Sequence, residues 1–194
     1  YNLFDPVLAT LLMFLTSVCV SLTAYRYDRA SLAYASLLMA SVVPLLTNSD
    51  RGDFFTILVY LTVVVLSVLW LAFVTRWRTL VFLSLGVLCA YSLSFVAGGA
   101  VLSHAEASMV VGLGVLFFIT SLLSILRSNG ATGREDGYVA LLNVIYSLVW
   151  VYDQVKEENV SIVLAVIALV YAFGFFLVYK VTNVFTSFII YGGA

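Results

Sequence analysis

Asn143, Tyr146 and Ser147 bring an amide, a phenol and a hydroxyl into one otherwise apolar run. Their spacings of three and four put them on one helical face. Such a face either lines a polar cavity or hydrogen-bonds to neighbouring helices. It holds no acid, base or activated nucleophile. Nucleophilic catalysis needs a Ser or Cys against a base, and zinc needs several His or Cys ligands. The single histidine, His104, has only Glu106 beside it, and Cys19 and Cys89 lie in separate apolar runs where they act as small hydrophobes. No catalytic, cofactor-binding or metal-binding residue is assigned, and no cofactor is expected.

Other candidates reduce to simpler structures. Asp50 with Asp53, and Asp153 with Glu157 and Glu158, are acidic clusters of the kind that attract a divalent cation, but they read as a solvated rim. Gly130 and Gly133 between Arg127 and Arg134 lack the Lys-Ser/Thr ending of a phosphate loop and read as a turn. Lys180 lies at the end of its run, with no acid inside the others to serve as counter-ion to a Schiff base.

The elements that position these residues follow from composition. The 194 residues are 63% hydrophobic and 10% charged, with mean hydropathy +1.13. A soluble fold could not hide that apolar surface, and a formal net charge of -1 gives no field for nucleic acid. A spanning helix takes about 20 apolar residues. Reading from charge to charge gives seven spans, at 6–24, 31–48, 54–75, 79–102, 107–126, 138–152 and 160–179. The second and sixth are short and are expected to sit upright or thin the bilayer. The expected fold is an all-α, polytopic integral membrane helical bundle forming a single domain. The chain opens at Tyr1 without Met or a basic leader, and 181–194 resembles the start of a truncated eighth helix, so a longer protein is expected.

Cations set the orientation. Arg26, Arg29, Arg76, Arg78, Arg127, Arg134 and Lys180 occupy alternate gaps, against Arg51 and Lys156 in the others. Their gaps are expected to be cytoplasmic, with the N-terminus outside and the C-terminus inside. Trp70, Trp77, Trp150, Tyr25, Tyr27, Tyr152 and Tyr179 fall near span ends and read as interfacial anchors. Asp5 before Pro6, and Asp53 before the third span, read as helix caps.

Small residues four apart, Ser17 and Ser21, Ser36 and Ala40, Gly86 and Ala90, Ser94 and Gly98, are expected to form close-packing faces. Pro44 removes a backbone donor near the end of the second span, and with Gly98 and Gly99 marks a candidate hinge.

Tyr25-Arg26-Tyr27-Asp28-Arg29, the small-residue helix ending Val43-Pro44-Leu45-Leu46, the turn to Asp53, the run from Phe55 to Tyr60 and Arg76-Trp77-Arg78 together resemble a hairpin repeated in a bacterial family. That family is the "predicted membrane protein" family, domain of unknown function 2339, and the similarity covers about residues 25–95. It departs where Ser41-Val42-Val43 stands in place of the family's Gly-Gly-Phe. The resemblance implies a string of spanning helices in a bacterial inner (plasma) membrane, without an assigned reaction or functional residues. Two functions are expected from the whole reading. The first is a non-enzymatic module or subunit whose partners are the lipid bilayer and other transmembrane helices; the second is a transporter or channel for a neutral or lipid-like substrate.

Overall fold

Apolar runs without an internal acid or base satisfy their backbone only by coiling, and seven helices form from them among the described residues. They are α1 (Pro6–Arg26), α2 (Ala30–Thr47), α3 (Phe54–Thr75), α4 (Arg78–Ala97), α5 (His104–Arg127), α6 (Arg134–Gln154) and α7 (Glu157–Thr182). The computed structural model describes residues 6–47, 54–98, 102–127 and 134–182, which are all-α and otherwise turn. Four segments, Phe55–Thr75, Arg78–Ala97, His104–Arg127 and Glu157–Lys180, are long and apolar enough to cross a membrane.

Helix boundaries differ from the charge-to-charge limits where caps intervene. α4 ends at Ala97, with the Gly98 N–H on the Phe95 carbonyl, so the fourth span does not continue as helix to 102. α5 begins at His104 rather than 107 because Ser103 and Glu106 form a capping box. The Ser103 N–H and hydroxyl each donate to Glu106 Oε2 at 2.7 Å. The sixth helix is longer than the apolar run at 138–152. Arg134, Glu135 and Asp136 belong to the first turn of α6, where acids complement the helix dipole, and the helix reaches Gln154. α7 likewise starts with Glu157 and Glu158 and runs past 179. Val181 and Thr182 are its last residues, and the rest of the suggested eighth helix lies outside the described residues, as do Asp5 and Asp53.

The chain divides into two units, Tyr1–Ser84 and Leu85–Ala194, with the boundary inside α4. In the first unit α1 and α2 approach closely because small residues face each other. Ala24, Ala33, Ser36 and Ala40 are buried, and the Ser21 and Ser36 hydroxyls meet at 3.1 Å. The turn between the two helices is a Schellman closure, with Arg29 N–H on the Ala24 carbonyl and Asp28 in the left-handed region at φ 50°. α3 closes with Arg76, also left-handed at φ 62°, its N–H on the Ala72 carbonyl.

Pro44 lies buried inside α2, and its missing N–H would leave the Ala40 carbonyl without a donor. Tyr60 of α3 supplies one, its hydroxyl donating to that carbonyl at 3.0 Å. The proline is thus braced against a neighbouring helix, which argues against a free hinge at this position. Gly98 terminates α4, and Gly99 lies outside the described residues.

In the second unit α5, α6 and α7 pack around Ile125, Ala140, Val144, Tyr171 and Val178. α7 contributes a buried stripe, Tyr171, Gly174 and Val178, at spacings of three and four, with Ile167 and Phe175 partly buried beside it. A Cβ at Gly174 would stand 2.6 Å from Phe118 Cζ, so the glycine makes room for a ring of α5. That ring lies edge-on to Tyr171 at 5.0 Å. Ala90, Ser94 and Gly98 are exposed and Gly86 is half-buried; the Ser17 side chain lies outside the described residues.

Tyr60→Phe is expected to cost about 1 kcal/mol in a chain that keeps Pro44, and little in a Pro44→Ala background, where residue 44 regains its own N–H. Thermal unfolding of the detergent-purified single and double variants measures this. Equal losses in both backgrounds would contradict the brace.

Candidate functional site

The polar stripe of α6 is where side chains with chemistry converge. Its floor is set by helical spacing: Asn143, Tyr146 and Trp150 are buried and Ser147 half-buried, with Asn143 and Tyr146 each 3% exposed. Asn143 Nδ2 donates to the Gly114 carbonyl of α5 at 3.1 Å and to the Tyr171 hydroxyl of α7 at 3.0 Å. One carboxamide therefore joins three helices. The Tyr146 hydroxyl donates to the Val110 carbonyl at 3.1 Å, one turn from Gly114 along α5, and Ser92 of α4 lies beside the same phenol. Ser147 turns back on its own helix, its hydroxyl donating to the Asn143 carbonyl at 2.9 Å.

Gly114 allows this approach. A Cβ there would meet Tyr146 Cε1 at 3.5 Å and Ser147 Oγ at 3.8 Å, so α5 lies against α6 with its carbonyl open to Asn143. Because that carbonyl can only accept, the amide nitrogen must face it. The amide oxygen points away and is buried without a hydrogen-bond partner. Leaving such a group unpaired costs about 1–3 kcal/mol, a cost that the two bonds the nitrogen makes offset.

Of the three residues singled out by spacing, Asn143 and Tyr146 bond to neighbouring helices and Ser147 bonds within α6, with Tyr171, Gly114, Val110 and Ser92 around them. Tyr171 carries no sequence signal, being one of 12 tyrosines in the chain. The stripe contains an amide, phenols, hydroxyls and an indole, chemistry suited to hydrogen bonding and not to proton abstraction or acyl transfer.

Other residues take structural places. His104 is the exposed first residue of α5, while Glu106 is buried in the capping box. That box was legible as Ser103-x-x-Glu106 ahead of an apolar run. Gln154 Oε1 accepts from the Leu102 N–H at 3.1 Å, tying the segment before α5 to the end of α6. Asp153, Glu157 and Glu158 are exposed, and the described residues contain no group of three or more His, Cys, Asp or Glu placed to hold a metal. Asp50 and Asp53, and the loop holding Gly130 and Gly133, lie outside the described residues. Trp150 is not an interfacial anchor: it is buried, 6.1 Å from the Phe95 ring. Trp70, Tyr25, Tyr27, Tyr152 and Tyr179 are exposed.

Comparison of the chain with protein-family models, with curated proteins and with solved structures finds no match in any of the three.

Asn143→Leu removes both interhelical bonds while filling the site, and is expected to lower the thermal midpoint by roughly 2–4 °C. Ser147→Ala, which loses a bond only within α6, is expected to shift it by less than about 2 °C. Equal effects in differential scanning measurements would contradict a role for Asn143 as the interhelical tie.

Proposed function

We propose that the chain is a non-enzymatic integral membrane module, a segment or subunit of a larger membrane protein or assembly, contacting lipid and partner helices. The observation that carries this reading is Asn143. The most polar group within the runs is engaged by α5 and α7 on both of its N–H bonds, as expected of a helix tie. α7 adds support, because its outward side presents Ile162, Val166, Leu169, Phe173 and Phe176. Those side chains suit acyl chains or the apolar face of another helix.

In this proposal all seven helices cross. α2, with 18 residues, extends about 27 Å, close to the hydrocarbon thickness of about 30 Å, and α1 with 21 residues is longer. The cation-rich gaps face the cytoplasm and the N-terminal end lies outside. A bacterial inner (plasma) membrane is part of the same proposal, and it rests only on what a resemblance of residues 25–95 to domain of unknown function 2339 would imply.

A second reading, transport of a neutral or lipid-like substrate, is favoured by one observation. Asn143 Oδ1 is a buried acceptor without a donor, and a solute hydroxyl passing the stripe would satisfy it.

Proteoliposomes separate the two readings. The module reading expects glycerol uptake and fluorescent-lipid scrambling equal to those of empty vesicles, whereas protein-dependent flux that disappears in Asn143→Ala would contradict it. For orientation, an impermeant maleimide added to intact cells is expected to label Ser49→Cys and not Thr79→Cys, in a chain with Cys19 and Cys89 replaced by serine. The reverse pattern would overturn the topology.

A further inference from the structure

A groove in the first unit has the anatomy of a lipid site. A cleft of about 410 Å³ lies between α1, α2 and α3, walled by Val18, Leu22, Leu37, Val64, Val68 and Leu71. Its volume lies within the range of about 300–1,000 Å³ usual for ligand pockets. Three serines also line it, yet none offers a free donor along a fixed path. Ser36 donates to the Ala33 carbonyl, Ser67 to the Val63 carbonyl, and the Ser21 hydroxyl meets that of Ser36. With those hydroxyls engaged inside the protein, the cleft suits an alkyl chain better than a polar solute.

The cleft shares Leu22 with a second hollow of about 730 Å³, bordered by Tyr25, Arg26, Asp28, Val74 and Thr75. Polarity changes where the two meet. Trp70 lines the first, Tyr25 lines the second, and their rings lie 6.3 Å apart. Such aromatic pairs are characteristic of the level at which acyl chains give way to headgroups. Beyond them stand one cation and one anion. Arg26 and Asp28 are both exposed, and neither makes a side-chain hydrogen bond or ion pair among the described residues. Asp28 holds its place in the left-handed conformation that closes the α1–α2 turn, a position glycine would fill with less strain.

We propose that this groove holds a membrane glycerophospholipid with a primary-amine headgroup. One acyl chain lies in the apolar cleft, the phosphate is held by the Arg26 guanidinium and the ammonium by the Asp28 carboxylate. Charge complementarity selects this headgroup. A phosphate alone would satisfy Arg26 and be opposed by Asp28, whereas a phosphoethanolamine presents both signs, one for each side chain. A quaternary amine keeps the charge but has no N–H to donate to the carboxylate.

The test is native mass spectrometry of the full chain in detergent, titrated with dioleoyl phosphatidylethanolamine, phosphatidylcholine and phosphatidylglycerol. The ethanolamine lipid is expected to be retained about tenfold more tightly than the choline lipid. Arg26→Gln is expected to weaken its retention about tenfold, and Asp28→Asn, which tolerates the same backbone conformation, to abolish the preference for ethanolamine over choline. Ser67→Phe, at an exposed wall position, is expected to fill the cleft and remove lipid retention, with helicity checked by circular dichroism. Equal retention of the ethanolamine and choline lipids, unchanged retention in Arg26→Gln, or tighter retention of phosphatidylglycerol would overturn the proposal. So would a lipid-free dimer, which would assign the groove to a second copy. Arg26 and Asp28 are exposed, so their variants decide the matter even if Ser67→Phe does not fold.

Discussion

A polar group carried into an apolar medium must find its partner inside the protein, and the arrangement of this chain follows from that constraint. Where the backbone lacks a donor, at Pro44, a tyrosine from the next helix provides one to the Ala40 carbonyl. Where a side chain carries an amide, at Asn143, two neighbouring helices take up its N–H groups. Where a helix begins with free N–H groups, at α5, Ser103 and Glu106 close a capping box. The same rule in three settings fixes α2 to α3, α6 to α5 and α7, and the start of α5. Packing then follows, with small residues admitting close approach between α1 and α2 and Gly174 admitting Phe118 between α5 and α7.

This economy leaves its mark on function. Hydroxyls along the helices largely return to carbonyls of their own turn, as Thr62, Ser67, Thr75, Ser94 and Thr120 do. Such groups add little that a solute could use. Among the described residues, two places with capacity left over bear on function: the buried oxygen of Asn143, and the Arg26 and Asp28 pair beside the α1–α3 groove. The first faces inward among helices and the second faces a lipid-sized hollow, which is why one supports a structural reading and the other a ligand.

The seven helices were legible in the spacing of charges, because an apolar run between charges has one low-cost backbone solution. Their ends were less legible. Charge-to-charge reading treats Glu106, Arg134 and Glu157 as loop, whereas acids and caps belong to first turns. The common face of Asn143, Tyr146 and Ser147 was readable from helical spacing, but its partners were not. Gly114 and Tyr171 lie 29 and 28 residues away along the chain, and no local pattern links them. The Tyr60 brace was similarly hidden, since the proline announces a missing donor without indicating which helix replaces it. Trp150 was misplaced for the converse reason: position near a span end suggested an interface, and only packing against Phe95 shows it inside.

The central claim is that Asn143 acts as a tie between helices. A double-mutant cycle between Asn143→Ala and Tyr171→Phe, with unfolding free energies measured in bicelles, tests it most directly. The account expects a coupling of about 0.5–1.5 kcal/mol, because each variant removes the same α6–α7 bond. Strictly additive losses would mean that the two side chains act independently, and would contradict the tie.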